Sequence, residues 1–112
     1  MSRLIPTCLV LLGLALGPAD ASAADPYEAS LVIQGHRFQP AELVVPAGRK
    51  IKLTVVNRDA TAEEFESYEL NREKVVAGGS SIVVYIGPLR PGTYPFFGEF
   101  HMETAKGKII AE

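Results

Sequence analysis

The chain has 112 residues, a hydrophobic content of 47% and a formal net charge of −2 at pH 7. This length corresponds to one small domain. Since there is no basic excess, the electrostatic footprint of a nucleic-acid-binding protein is missing, and we expect no nucleic acid among its partners.

Residues 1–23 have the pattern of a cleavable signal peptide. Arg3 supplies a positive start, residues 4–17 form an apolar run, and the motif Ala-Ser-Ala at residues 21–23 offers small side chains for cleavage. The run is too short to span a membrane, which takes about 20 apolar residues. We predict cleavage after Ala23 or one residue later, export to the periplasm, and a mature protein that is not embedded in a membrane.

The cysteine content limits both stability and chemistry. Cys8 is the one cysteine of the chain, and it lies inside the predicted signal peptide. Export would permit disulfides, but the mature chain has no thiol with which to form one. Its stability must therefore come from a packed core.

The rest of the chain has a β pattern. Residues 50–57 alternate between polar and apolar side chains, with Ile51, Leu53 and Val55 on one face, as in a half-buried strand. Further strands are predicted at Ser30–Gln34, Glu42–Val45, Glu64–Leu70, Lys74–Val76, Ser80–Ile86, Tyr94–Phe97 and Lys108–Ala111. Seven or eight short strands separated by Gly/Pro turns predict an all-β sandwich with Greek-key connections over residues 30–112. Residues 24–29 are predicted to be a flexible lead-in.

The loop between the last two strands carries the first candidate metal ligands. His101 and Met102 stand side by side there, with Glu99 two residues before the histidine. Imidazole suits copper, zinc and iron, and thioether suits copper(I). The alternative is a surface hairpin whose polar residues face water.

A second candidate set lies in the acidic segment that holds Glu63, Glu64 and Glu66. If Phe65 faces the core, Glu63 lies at the mouth of the strand, while Glu64 and Glu66 point to the other side. A buried carboxylate needs a metal ion or a basic partner.

Two basic residues, Arg72 and Lys74, are the alternative partners for these carboxylates. His36, next to Arg37, is interpreted as a surface residue, with a role as a metal ligand as the weaker alternative.

Several of these motifs together resemble a cupredoxin. The sequence HRFQPAELVVPAG from His36, the strand ending in Asn57, the Gly-Thr-Tyr that starts at Gly92, and the loop with His101 carry the resemblance. It covers roughly residues 30–112 and is closest to the small EfeO-type cupredoxin-like domain. Such proteins are periplasmic, and several accompany high-affinity iron permease systems. The resemblance therefore implies a membrane iron permease, or another periplasmic protein, as partner.

The resemblance also implies which metal ligands are kept. Blue-copper cupredoxins use a first His, a Cys, a second His and a Met, which fall here at Glu63 or the next residue, at Gly98, at His101 and near Ala105. One of the four types is retained in place, and no cysteine is available. The resemblance thus excludes a type 1 blue copper site, while red-copper relatives with a carboxylate in the first position keep Glu63 as a candidate.

Two functions remain. The first is a periplasmic protein that binds a copper or iron ion and assists iron or copper uptake or electron transfer, with ferrous oxidation as an activity if the metal is copper. The second is a metal-free β-sandwich that acts as an interaction module for a membrane transport partner. A hydrolytic enzyme is disfavoured, because no nucleophile–base pattern is present. The candidate metal ligands are Glu63, Glu64, Glu66, Glu99, His101 and Met102.

Overall fold

The computed structural model describes residues 25–112, which form nine β-strands in two sheets. The strands are β1 (Tyr27–Ile33), β2 (Phe38–Gln39), β3 (Glu42–Val45), β4 (Ile51–Asn57), β5 (Glu63–Ser67), β6 (Arg72–Val76), β7 (Ser81–Ile86), β8 (Gly92–Phe97) and β9 (Lys106–Ala111). One turn of 3-10 helix, Glu99–His101, lies between β8 and β9. The all-β prediction is confirmed, with slightly more strands than expected. The predicted signal peptide and Cys8 lie outside the described residues.

The chain crosses several times between the two sheets. The first sheet has the order β2-β1-β4-β7, and the second has the order β3-β9-β8-β5-β6. β1 runs parallel to β4, and β3 runs parallel to β9, while the other pairs are antiparallel. Within residues 25–112, no helix has the length and apolarity that a membrane crossing requires.

Several predicted strand boundaries are wrong, two of them by three residues. β1 begins at Tyr27 rather than at residue 30, because its parallel ladder with β4 starts with Tyr27 opposite Ile51 and takes up half of the predicted lead-in. β5 ends at Ser67 rather than at residue 70, because the chain turns there. The Leu70 backbone N–H donates to the Ser67 hydroxyl at 3.2 Å, and Asn71 adopts a positive φ of 55°.

The core lies between the sheets and supports the site. The alternating side chains of β4 fill it as predicted, and three phenylalanines form a cluster nearby. The rings of Phe38 and Phe96 meet edge to face at 4.9 Å between centroids, and Phe65 lies 5.4 Å from Phe96. Edge-to-face aromatic packing of this kind stabilises the fold beyond what the burial of apolar surface contributes. Phe65 and Phe96 thereby fix the two strand segments that lead into the acidic residues and into the His101 loop.

Candidate metal centre

Glu63, the first residue of β5, has a carboxylate that is almost completely enclosed, with 1% of the residue exposed. Its Oε1 accepts hydrogen bonds from the backbone N–H groups of Glu64, at 2.9 Å, and Phe100, at 3.0 Å. Its Oε2 lies 2.5 Å from Nδ1 of His101. Charge-assisted hydrogen bonds of this kind satisfy a buried carboxylate. Glu63 is therefore tied to the protein itself, and it orients the His101 ring.

Gly98 makes room for this carboxylate. A Cβ added at Gly98 would lie 2.6 Å from both Cδ and Oε1 of Glu63. The backbone of Gly98, with φ −107° and ψ 116°, is in the extended region that any residue adopts. The glycine is thus required by the close approach of the Glu63 side chain and not by its own backbone conformation.

His36 stacks on His101 at the same end of the sandwich. The two ring centroids are 3.6 Å apart, with an interplanar angle of 15°. Nδ1 of His36 lies 3.4 Å from Oδ2 of Asp59. The backbone N–H groups of His36 and Gly35 also donate to Asp59, and they hold the pKa of its carboxyl below the ordinary 3.8. Each imidazole therefore has a carboxylate beside its Nδ1, while both side chains remain partly exposed.

The loops that carry the two histidines are bound to the framework. Asn57, buried at the end of β4, donates from Nδ2 to the carbonyls of Thr61 and Val76 and accepts from the Asp59 N–H at 3.0 Å. The Thr104 hydroxyl donates to the carbonyl of His36 at 2.5 Å. These bonds fix the position of the Asp59 carboxylate and join the two loops that carry the histidines. They therefore hold the stacked His36 and His101 rings in place.

The other side chains of the His101 loop form no hydrogen bond to either imidazole ring. Met102 is about half exposed, and with His36 and His101 it lines a shallow depression of about 390 Å³. Phe100 is also about half exposed and lines the same depression. Ala105, near the position implied for an axial Met, is fully buried and offers no donor atom. Among residues 25–112, Met102 is therefore the one residue that can offer a sulfur ligand, and it lies at the edge of this depression.

The remaining predicted acids form a separate cluster on the other face of β5. Glu64, Glu66 and Glu99 meet there with Glu73 of β6, and one carboxylate oxygen from each of the four lies within 4.8 Å of the others. Glu64 and Glu66 are 4% and 8% exposed, whereas Glu73 and Glu99 are exposed. Burial, and then the close approach of the Glu73 and Glu66 carboxyls, raises the pKa of Glu64 from 4.5 to about 8. The structure thus divides the predicted ligand set between two places.

The basic residues considered as partners do not neutralise this cluster. The Arg72 guanidinium donates to the backbone carbonyls of Tyr85, Leu70 and Asn71. Lys74 is next to Glu73 in β6, and successive residues of a strand point to opposite faces. Among residues 25–112, the ion pairs are His36–Asp59, His101–Glu63 and Lys108–Glu42, and none involves the four clustered carboxylates.

The sequence matches the family described as "Cupredoxin-like domain" over residues 7–111. The chain belongs to this family. It is 41% identical over 113 residues to the uncharacterized protein RP394 of Rickettsia prowazekii (strain Madrid E), covering 96% of this chain and 90% of that protein. This agrees with the cupredoxin resemblance of the sequence, while the narrower EfeO type stays a prediction.

Solved cupredoxin structures share the fold of this cupredoxin-like domain. Auracyanin A, a "blue" copper protein from Chloroflexus aurantiacus, superposes with a TM-score of 0.68 at 15% identity, covering 79% of this chain and all of that one. Amicyanin from Paracoccus versutus gives 0.60 at 17%, with coverages of 86% and 92%. The purple cupredoxin from Nitrosopumilus maritimus gives 0.59 at 18%, with coverages of 75% and 99%. At these identities the likeness concerns the fold alone.

A thiolate-centred copper site does not fit this cupredoxin-like domain. The cysteine position implied by the resemblance is Gly98, and the space that a side chain there would need is filled by the Glu63 carboxylate. The one cysteine of the chain is Cys8, far from this position in sequence. The imidazole nitrogens remain as donors, because both histidines are partly exposed and have a carboxylate beside Nδ1, an arrangement that metal-ligating histidines usually have.

Sequence reasoning missed Asp59 and Glu73 in this cupredoxin-like domain. Asp59 follows the strand that ends in Asn57, which is the end of the sandwich where His101 was expected, and this position is a usable signal. Glu73 lies opposite Glu66 in the β5–β6 hairpin. This register could have been predicted if the predicted strand had ended at Ser67, with a tight turn before β6. His36 was considered, but as the weaker alternative.

Proposed function

We propose that this protein is a periplasmic metal-binding cupredoxin-like protein that holds a copper or iron ion at the His36–His101 pair. The observation that carries the proposal is the meeting of two partly exposed imidazoles at one rim, each with a carboxylate beside its Nδ1. The rings stack face to face, so they must turn apart for both Nε2 lone pairs to point at one ion. In a neutral imidazole one nitrogen carries the proton and the other accepts. With Nδ1–H directed at a carboxylate, the lone pair is on Nε2, which is the form that binds a metal.

In this proposal Glu63 and Asp59 are positioning residues. Glu63 Oε1 and Oε2 are engaged by two backbone N–H groups and by His101, so the carboxylate has little capacity left for an ion. Asp59 is held in the same way by the backbone N–H groups of Gly35 and His36. Carboxylates in this role fix the tautomer and the ring orientation and raise the basicity of the ligand nitrogen.

The donor types favour copper over a hard cation at this place. Imidazole suits copper, zinc and iron, and a thioether selects copper(I). Met102 lies on the rim with both histidines and is exposed enough to move toward a bound ion. Bound copper would supply one-electron exchange between Cu(II) and Cu(I). Its colour would lack the strong sulfur-to-copper band, since no thiolate is present in the mature chain.

Cellular context extends the proposal. The signal-like residues 1–23 support export to the periplasm. The EfeO-type resemblance supports delivery of iron or copper to a membrane permease, or electron transfer to a periplasmic partner. Auracyanin A, with the same fold, is described as a "blue" copper protein, which supports copper as the first metal to test.

A second function, a metal-free interaction module, is favoured by one observation. Phe100 and Met102 are large apolar side chains, each about half exposed, on the same rim as His101. Exposed apolar residues that lie together mark surfaces where partners bind. A membrane transport protein would be the partner in this alternative.

Titration calorimetry of chelator-treated protein with Cu(II) and Fe(II) decides between the two functions. We expect one ion per chain in the wild type. His101→Ala and His36→Ala should each weaken binding at least about tenfold, and Glu63→Gln should weaken it by about 10–100-fold through loss of ring orientation. Affinity should fall as the pH is lowered, because protons compete for the imidazole.

The matched control is Met102→Leu, which keeps the apolar rim while removing the thioether. It should weaken Cu(I) binding more than Cu(II) binding. If neither ion binds to the wild type, or if the two histidine variants bind as tightly as the wild type, the metal proposal is wrong and the interaction module takes its place.

A further inference from the structure

The acidic cluster on the outer face of β5 contains two buried oxygen atoms without a partner. Among the residues that the structure describes, Glu64 Oε1 and Glu66 Oε1 are enclosed and accept no hydrogen bond. Both residues are more than nine-tenths buried. An unsatisfied buried carboxylate oxygen loses its hydration without replacement, which is among the more destabilising features a folded protein can have.

The surroundings do not supply the missing positive charge. Glu73 and Glu99, the other members of the cluster, add like charge. Arg72 is engaged by backbone carbonyls, and no lysine or arginine among residues 25–112 forms an ion pair with the cluster. Four carboxylates in close contact need either protons or a cation. Burial, and then the neighbouring carboxyls, also raises the pKa of Glu64.

The geometry of the oxygens fits a hard divalent cation. One oxygen from each of the four residues lies within 4.8 Å of the others. Two oxygens that both bind one Ca²⁺ at about 2.3–2.6 Å are at most about 5 Å apart, so these four oxygens are close enough to share one ion. Carboxylate oxygens suit Mg²⁺, Ca²⁺ and Mn²⁺. Since Glu73 and Glu99 are exposed, an ion and its remaining water ligands can reach the two buried oxygens from solvent.

We infer that Glu64, Glu66, Glu73 and Glu99 form a second metal site, specific for a hard divalent cation of the Ca²⁺ or Mn²⁺ class and distinct from the His36–His101 centre. The two buried carboxylates supply the inner oxygens, and the two exposed ones close the site from the solvent side. β5 separates the two centres, since Glu63 and Glu64 point to opposite faces of the strand. The all-oxygen donor set suits hard cations, whereas imidazole suits copper, zinc and iron.

The test uses purified, chelator-treated protein with Ca²⁺ in titration calorimetry and with Mn²⁺ in EPR, where binding removes the signal of the free aqueous ion. Wild type should bind one ion. The Glu64→Gln/Glu66→Gln variant should bind at least about tenfold more weakly, because affinity follows the number of charged ligands. Glu73→Gln, at an exposed position that packs little, should also weaken binding and covers the case in which the double variant does not fold.

Two controls isolate the site. Glu28→Gln/Glu42→Gln removes the same charge from two exposed positions and should bind like wild type. His36→Ala/His101→Ala should also retain Ca²⁺ and Mn²⁺ binding. The inference is overturned if wild type shows no saturable binding, if the glutamine variants bind as tightly as wild type, or if the histidine variant loses these ions.

Discussion

Gly98→Ala should destabilise the protein although its backbone conformation is ordinary for alanine. In an extended strand end with no close neighbour, replacing Gly by Ala stabilises by about 0.4–1 kcal/mol through the unfolded chain. At Gly98 the new Cβ would meet Glu63 Cδ and Oε1 at 2.6 Å and Cγ at 2.9 Å. The carboxylate must therefore move.

The magnitude follows from what Glu63 loses when it moves. Its carboxylate holds two backbone N–H groups and the His101 ring. Hydrogen bonds to charged groups contribute about 1.5–3 kcal/mol each. Because the side chain can keep some of these contacts after a partial shift, we expect a net loss of about 2–4 kcal/mol in the free energy of unfolding.

Urea denaturation of four proteins measures this effect and its cause: wild type, Gly98→Ala, Glu63→Ala and the double variant. In the double variant the obstacle is gone, so Gly98→Ala should be neutral or slightly stabilising in the Glu63→Ala background. The resulting coupling energy should therefore be at least about 2–4 kcal/mol, at or above the upper end for contacting residues. Gly92→Ala is the matched control, because its Cβ would have Tyr94 Cε1 as its nearest neighbour, at 3.7 Å. A Gly98→Ala protein within about 0.5 kcal/mol of wild type, or a cycle without coupling, would refute the reasoning.

Four further predictions concern burial, charge, colour and processing. Asn57→Ala should destabilise by about 2–4 kcal/mol, measured by urea denaturation, because the carbonyls of Thr61 and Val76 lose their donor. With a chelator present, the folded protein binds the Glu64 proton more tightly than the unfolded chain does. The contribution of Glu64 to the free energy of unfolding should therefore be fully present below pH 4.5 and be lost as the pH rises toward about 8. Glu64→Gln should reduce the fall of the free energy of unfolding over this pH range. Copper-loaded protein should absorb weakly in the visible region, and an intensely blue adduct would contradict the ligand argument. Intact-mass measurement of exported protein should give Ala24 as the first residue, and retained Met1 would contradict cleavage.

Alternation and turns were enough to predict most of the framework. The inward residues of β4 and the bounds of β3 follow from the local sequence. The alternation of apolar and polar residues within a strand is enough to show which side chains face the core. Phe65 was also placed correctly in the core. From that placement, Glu64 and Glu66 were assigned to the outer face but not to a buried position. Their burial depends on how β6 and the Glu99 turn pack over β5, which no local pattern encodes.

The candidate centre was harder to predict, because its parts come from distant segments. His36 and His101 are 65 positions apart in sequence and are brought together by the Thr104 hydrogen bond and by the loop that Asp59 holds. Gly98 could be recognised as the vacated cysteine position. That the Glu63 carboxylate would take up the space depends on side-chain packing between β5 and the 3-10 turn.

If both proposed sites bind metal, the back-to-back placement of Glu63 and Glu64 would couple them. The Glu64 backbone N–H donates to Glu63 Oε1, the same carboxylate that orients His101. An ion that draws the Glu64 side chain outward acts on this peptide, and a metal on His101 acts on it from the other side. Any resulting change in affinity must be reciprocal, so the factor by which Ca²⁺ alters copper binding must equal the factor by which copper alters Ca²⁺ binding. With both sites occupied, the supply of one metal would then set the occupancy of the other across the width of a single strand.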